Sequence, residues 1–460
     1  MSALSFRGWR SGGWPATDRE PNRHVVPLTD DYSETPYWWR DGGIPDPSDE
    51  RELPKEADVL VVGAGYTGVS AARHLQMHGR GAVVLEQRLL GRGASSRNAG
   101  STHPGLTIPV DRLIARYGPF GRRLYDETVA AFEHCEATIR EEHIACDYAR
   151  SGVVQLAATK GEMRRLEELA SVYRMQIGVP AQVVARSELD QYAGTSTYAG
   201  GVITDLWGLL HPARYFSGLL SGAAHIGAEF HEETRVERIE PRRAGFSVVT
   251  SRGTLTARDV LVTTDGYTDA AMPQLSRRIV PFASNVLVTE PLGEDLAHSV
   301  SPTGRFVVDS GTFVLAWRTL PGGRVLFGGR THIRTATLAS ARARLYRLMV
   351  DALPQLAGVR IAAMWRGTVG FTFDNLPHIG KLEGVTYALG YCGGGVALSG
   401  YFGAQAAVWI AGGDPPVFSE IGLPAPPRFH RARRCVSAAG GFSSRAEGFS
   451  SRPRGLSRSR

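Results

Sequence analysis

A chain of 460 residues, 43% hydrophobic and 21% charged, is long enough for two or three domains with a substantial core and reads as an ordinary soluble globular protein. Its formal charge of +7 comes entirely from residues 431–460, which carry eight Arg and one Glu; residues 1–430 are net neutral. The high charge therefore belongs to the tail and gives no reason to expect a nucleic-acid partner for the folded body. The basic tail repeats GFSSR at 441 and 448, is poor in large apolar residues, and reads as a disordered extension.

Cys135, Cys146, Cys392 and Cys435 are widely spaced with no CxxC, which argues against a disulfide framework and a zinc site and favours a cytoplasmic setting. The N-terminus has no apolar signal core, so secretion is unsupported. The only long uncharged run, 387–413, contains three consecutive glycines, Ser399 and Gln405. A glycine turn followed by a buried helix suits it better than a membrane span.

In chain order, residues 1–50 read as an N-terminal extension. A continuous apolar strand, Val59 to Val62, then turns on Gly63, Gly65 and Gly68, and Val69, Ala72 and Leu75 continue on one helical face. The first glycine permits a tight turn, the second lets backbone approach a pyrophosphate, and the third lets helix and strand pack closely. The phosphates would sit at the helix N-terminus, beside Tyr66 and Thr67. A second strand, "GAVVLEQ", ends at Glu86 and Gln87; Glu86 lies 23 positions after Gly63, where an acid accepts hydrogen bonds from an adenosine ribose. The pattern predicts a dinucleotide site without separating NAD from FAD, which share an ADP half.

A second glycine- and serine-rich stretch, "GRGASSRNAGST" at 91–102, reads either as a surface loop or as a second strip of close backbone contact. After such a start it resembles the second flavin-contacting segment of the D-amino-acid-oxidase-like FAD oxidoreductases, with the nearest likeness in their gamma-glutamylputrescine oxidase type. The resemblance runs over about residues 36–415, through "PYWWRDGGIP", "VVGAGYTG", "GASSRNAGS", "LLHPARY", "LFGGR" and "DNLPHIGKL" to "GYCGGGVALSG". It implies that Gly93, Ala94 and Ser95 approach the pyrophosphate and that Arg97, Asn98, Ala99 and Gly100 run past the ribityl chain. It also implies that backbone near Val236 holds the adenine, that Thr264, Asp265 and Gly266 turn beside the ADP, and that Leu376, Pro377, Gly390, Gly393, Gly394, Gly395 and Val396 close over the flavin. A helix starting near Gly395 would aim its positive end at reduced flavin.

Three departures qualify what the resemblance implies. A histidine usual in relatives is replaced by Gly394, and a carboxylate-anchoring lysine by Ala397. An oxygen-assisting lysine has its place at Phe327. The positions used for covalent attachment hold no cysteine in "VGFTFDN" and Asn98 in the loop, so the expected cofactor is noncovalent FAD. His103 lies just outside the matched motif, and Cys392 reads as a small buried residue.

The expected fold is α/β: a Rossmann-like FAD-binding domain with an inserted α+β substrate domain built on an antiparallel sheet. FAD-binding parts are expected at 51–110, 198–270 and 361–425, substrate-domain parts at 111–197 and 271–360, and the tail at 431–460. Apolar residues at helical spacing, including Leu124, Ala131, Cys135 and Ile139, precede a strand "GVVQLAA" and a helix beginning near Gly161. A further helix is predicted from about Leu338 to Leu353, stopped by Pro354.

The implied reaction is oxidation of an amine or amino-acid-like substrate to an imine by hydride transfer to flavin. Oxygen or another acceptor completes the cycle; no metal, nucleic acid or membrane span is expected. Alternatives are an FAD-dependent amino acid dehydrogenase with an acceptor other than oxygen, or an NAD-dependent dehydrogenase. Arg318, Arg330 and His332 read either as substrate contacts or as solvated strand-edge charges. Trp317 and Trp365 read either as pocket walls or as plain core, and His211 better as a helix start than as a cofactor contact.

Overall fold

A computed structural model describes residues 26–40, 44, 52–311, 314–330 and 337–426. His332 and the 431–460 tail lie outside the described residues.

Two sheets organise the chain. One is built on five parallel strands, in the order Glu229–His231, Ala82–Leu85, Glu56–Val62, Gly253–Val262 and Val385–Leu389, with antiparallel strands attached at its far side. Parallel strands covered on both faces need apolar residues throughout, and Val59, Leu60, Val61 and Val62 are all buried. Val59 and Val61 pack under the helices Tyr66–Met77 and Gly395–Ile410, while Leu60 and Val62 join the opposite core layer. The two helices meet closely: a Cβ on Gly403 would stand 2.3 Å from the Thr67 carbonyl. The long uncharged run is therefore a buried helix, and among the described residues no helix is long and apolar enough to cross a membrane.

The second sheet has nine strands, mostly antiparallel, ordered Leu28–Ser33, Ile361–Phe371, Val280–Thr289, Arg324–Gly329, Ala316–Leu320, Phe306–Asp309, Val153–Ala157, Gly200–Thr204 and Ala181–Ala185. Helix Leu338–Ala352 covers one face, ending just before Pro354. Helix Lys160–Val172 starts on a Thr159–Glu162 capping box, which satisfies two otherwise orphan N–H groups.

Three sheet memberships differ from the sequence expectation. Leu28–Ser33, expected as an extension, pairs in parallel with Ile361–Phe371. Ile361–Phe371 and Gly200–Thr204, expected in FAD-binding parts, belong to the nine-stranded sheet. Turn residues mark where an element stops, whereas sheet membership is decided by partners distant in sequence.

Candidate functional site

The first glycine loop is fixed by sterics. Gly63 has φ +99°, and a Cβ on Gly68 would sit 1.9 Å from the Gly63 carbonyl oxygen. The helix starting at Tyr66 has no side-chain cap on its N-cap residue Gly65; such an end presents free N–H groups and positive potential. The Tyr66 N–H donates to Ser95 Oγ at 2.9 Å, joining the first loop to the second.

Glu86 accepts from the Ala64 N–H (3.0 Å) and the Arg88 N–H (3.1 Å) through separate oxygens, and burial raises its pKa. Asp265, at φ +43°, accepts from the N–H groups of Gly390 (2.8 Å), Gly370 (3.0 Å) and Tyr391 (3.4 Å). Burial raises its pKa too, against the pull of those backbone bonds. This carboxylate ties the end of one central strand to the glycine turn before helix Gly395–Ile410 and to the nine-stranded sheet.

Between these elements lies a cavity of about 210 Å³. Gly63, Gly65, Tyr66, Thr67, Glu86, Gln87, Gly93, Ala94, Ser95, Asn98, Val236, Thr264, Asp265, Gly393, Gly395 and Val396 line it. Gly68, Arg97, Ala99, Gly100, Gly266, Leu376, Pro377, Gly390 and Gly394 are not among its lining residues. Gly100 (φ +76°) packs where a Cβ would be 2.1 Å from the Leu210 carbonyl, and Gly266 where one would be 2.9 Å from Thr368. A Cβ on Gly93 or Gly393 would meet no protein atom within 4 Å, only the cavity itself. Bare backbone at both places is what a long dinucleotide cofactor requires.

Several side chains stand elsewhere than the sequence suggested. Arg97, expected along the ribityl chain, turns away: Nε donates to the Arg92 carbonyl (3.0 Å), Nη1 to the Arg366 carbonyl (3.2 Å), and the guanidinium lies over Trp39. Asn98 faces the cavity and shapes its own loop, donating to the Ser95 carbonyl and accepting from the Gly100 N–H, both at 2.8 Å.

Trp317 and Arg318 are neighbours on one strand, so they point to opposite faces. Trp317 is fully buried in the core under helix Leu338–Ala352, stacked on Phe327. Neither ring faces the cofactor side, which removes Trp317 as a pocket wall and Phe327 as a guide to oxygen reactivity. Arg318, 7% exposed, spends Nη1 on the carbonyls of Leu210 (3.1 Å), Ala99 (3.4 Å) and Gly100 (3.5 Å). It pairs with no carboxylate among the described residues, and burial pulls it down to about 10. It braces the loop and is not part of the cavity lining.

Arg330 lies over the Phe371 ring (4.9 Å) and within 6.0 Å of the Phe282 ring; burial lowers its pKa, with Cys392 near enough to oppose that shift. Trp365 donates its indole N–H to the Arg97 carbonyl. His211 is the N-cap of helix Pro212–His225, Nδ1 accepting from the Arg214 N–H. His103 stacks on Trp207 (3.9 Å, 14°), its Cε1 3.7 Å from where a Gly394 Cβ would be. Cys392 is buried, its thiol pushed up to about 12.

Sequence reasoning missed Arg88, Tyr267, Met272, Thr368, Val369, Tyr391 and Ser399, all of which line the cavity. Tyr391, whose Oη lies 2.7 Å from Thr67 Oγ1, adjoins a flagged glycine and was findable; Thr368 and Val369 lie on a strand of the other sheet and left no local signal.

The comparisons with known proteins agree with this geometry. Residues 58–409 match the family model DAO, FAD dependent oxidoreductase. The chain is 30% identical over 380 residues to the probable oxidoreductase OrdL of Haemophilus influenzae, covering 81% of this chain and 87% of that one. It is 29% identical over 358 residues to gamma-glutamylputrescine oxidoreductase of Escherichia coli, covering 77% and 84%. Its fold is similar to that of glycine oxidase from Geobacillus kaustophilus, with TM-score 0.66 and 20% identity over 82% of this chain and 99% of that one.

The chain belongs to the DAO family of FAD-dependent oxidoreductases. Its cofactor is FAD, which displaces the NAD alternative, and it is an enzyme of the class acting on CH–NH or CH–NH2 groups.

Proposed function

We propose that the chain oxidises a small amine that also carries a carboxylate, of the gamma-glutamylputrescine type, to an imine. The observation that carries this reading is Arg330. Its guanidinium rests on phenylalanine faces near Cys392, no carboxylate among the described residues pairs with it, and Phe371 stands two residues beyond the cavity-lining Val369 on one strand face. A partly buried cation without a counter-ion favours an anionic ligand, and the planar guanidinium matches a carboxylate. The 29% identity to gamma-glutamylputrescine oxidoreductase supports the same substrate class.

The lining residues named above are the proposed FAD contacts, with Glu86 on the ribose, Gly93, Ala94 and Ser95 on the pyrophosphate, and Gly393, Gly395 and Val396 at the flavin end. Bound FAD supplies the hydride acceptor. The apolar surroundings supplied by the chain favour the neutral amine over its ammonium form. A cytoplasmic setting is supported by Cys135, Cys146 and Cys392, all buried and unpaired.

Anaerobic titration of the flavin absorbance with a panel of amines tests the reading. Amines bearing a carboxylate should bleach the flavin at lower concentration than their decarboxylated analogues. Arg330→Gln should erase that preference, with KM for the acid-bearing amine rising on the order of tenfold or more. Equal bleaching by both sets in the unaltered enzyme would contradict it. Readmitting air then distinguishes oxygen from another electron acceptor.

A further inference from the structure

The second glycine-rich loop is gripped from outside, residue after residue. Trp39 donates its indole N–H to Ser96 Oγ (2.8 Å), Trp365 to the Arg97 carbonyl (2.8 Å) and Trp38 to the Asn98 carbonyl (2.9 Å). Arg318 takes the next two carbonyls, those of Ala99 and Gly100. The Trp39 ring lies under two guanidinium groups of the same loop, Arg92 and Arg97, each 4.5 Å from its centroid. Trp38 and Trp365 are almost fully buried and pack edge to face at 6.5 Å.

Two of these donors come from helix Tyr37–Arg40, which follows the strand Leu28–Ser33. That strand lies in parallel beside Ile361–Phe371, the strand that carries Trp365. The family match begins only at residue 58. An N-terminal strap that precedes the family-model match, and whose tryptophans fall in the "PYWWRDGGIP" stretch, thus reaches the loop that lines the cofactor cavity through Gly93, Ala94, Ser95 and Asn98.

We propose that the segment 28–40 is a cofactor-retention strap, with Trp38 and Trp39 as positioning residues that hold the second glycine-rich loop in its FAD-receiving shape before FAD arrives. The loop contains little regular structure beyond the single turn Ala94–Ser96, and a segment rich in glycine and serine loses much conformational freedom when ordered. The indoles take up its outward-facing acceptors, so the ordering is accomplished by the fold. Without them only a fraction of the apoprotein holds the receptive shape, and the apparent FAD dissociation constant rises as the inverse of that fraction. The inference rests on the FAD cofactor and not on the substrate proposed above, so the two fail separately.

Trp39→Phe keeps a ring beside the two arginines and removes the N–H donor; Trp38→Phe likewise removes the donor to the Asn98 carbonyl. Full-length apoprotein of each variant is titrated with FAD, following quenching of flavin fluorescence, and its thermal midpoint is recorded without FAD. Tyr198→Phe is the control: it removes a buried hydrogen bond to Asp309 (3.2 Å) elsewhere in the nine-stranded sheet. The strap predicts an FAD dissociation constant raised on the order of tenfold in each tryptophan variant, more in the double variant, and unchanged in Tyr198→Phe. If the tryptophan variants lose thermal stability as the control does and bind FAD as tightly as the unaltered chain, the strap is only structural and the proposal is overturned. Should the double variant fail to fold, the two single variants decide between these outcomes.

Discussion

The two glycine-rich loops line one cavity and are stabilised in opposite ways. In the first, the constraint is internal: Gly68 packs against the Gly63 carbonyl, leaving no room for a side chain. In the second, it is external: indoles and a guanidinium from a distant helix and two distant strands hold the acceptors of residues 96–100, while Gly93 faces open cavity. A loop whose shape follows from its own sterics is carried by a short motif. A loop whose shape follows from its neighbours needs the rest of the fold.

Substitutions at the glycines separate these cases. Gly68→Ala places a Cβ 1.9 Å from a backbone oxygen, and a clash that forces a helix off its strand should destabilise by about 3 kcal/mol or more. Protein yield and the thermal midpoint should both collapse, with loss of flavin as a consequence. A normal midpoint would show that helix and strand are not locked by this contact.

Asp265 joins the two regions, and Asp265→Asn replaces an acceptor-only group with one that turns an NH2 toward backbone donors. The cost expected is about 2 kcal/mol, read as a lower midpoint even without FAD. Gly93→Val should behave differently again. Its φ of −87° suits any residue and a Cβ there has no non-neighbouring protein atom within 4 Å, so the midpoint of the apoprotein should hardly move. FAD affinity should fall on the order of tenfold or more, because the side chain occupies the cavity. A Gly93→Val protein that binds FAD normally would remove the second loop from the cofactor site.

The smallest effect concerns the helix leading out of the first loop. Burial pushes His74 down to about 4, from an ordinary value of 6.5. Between those values the unfolded chain binds more protons than the folded one, so stability falls as pH falls through this window. From pH 7 to pH 5 the loss from His74 is on the order of 1 to 2 kcal/mol, and His74→Gln should flatten that part of a denaturant-midpoint profile.

Much of the nucleotide half was legible because its causes are local. An apolar strand, three glycines and an acid at the next strand end each leave a sequence mark, and Gly63, Gly65 and Glu86 stand around one cavity. The second loop was recognisable by composition and likeness, yet its side-chain directions were not. Arg97 turned back onto Trp39, and the partners of Asn98 and Arg97 lie 60 and 268 positions away. Trp317 and Arg318 both stand in the sequence as candidates for the pocket, yet adjacent strand positions face opposite ways, so period-two reasoning alone leaves room for at most one of them. Nothing local in "LTDDYS" says that it completes a sheet edge beside Ile361–Phe371.

The most direct test is flavin stoichiometry in the full-length chain, purified natively, confirmed folded, and measured by visible absorbance before and after incubation with FAD. About one noncovalent flavin per chain, released on denaturation, is the result expected where the two loops contact one extended dinucleotide. Folded protein that carries no flavin and takes none up would contradict it.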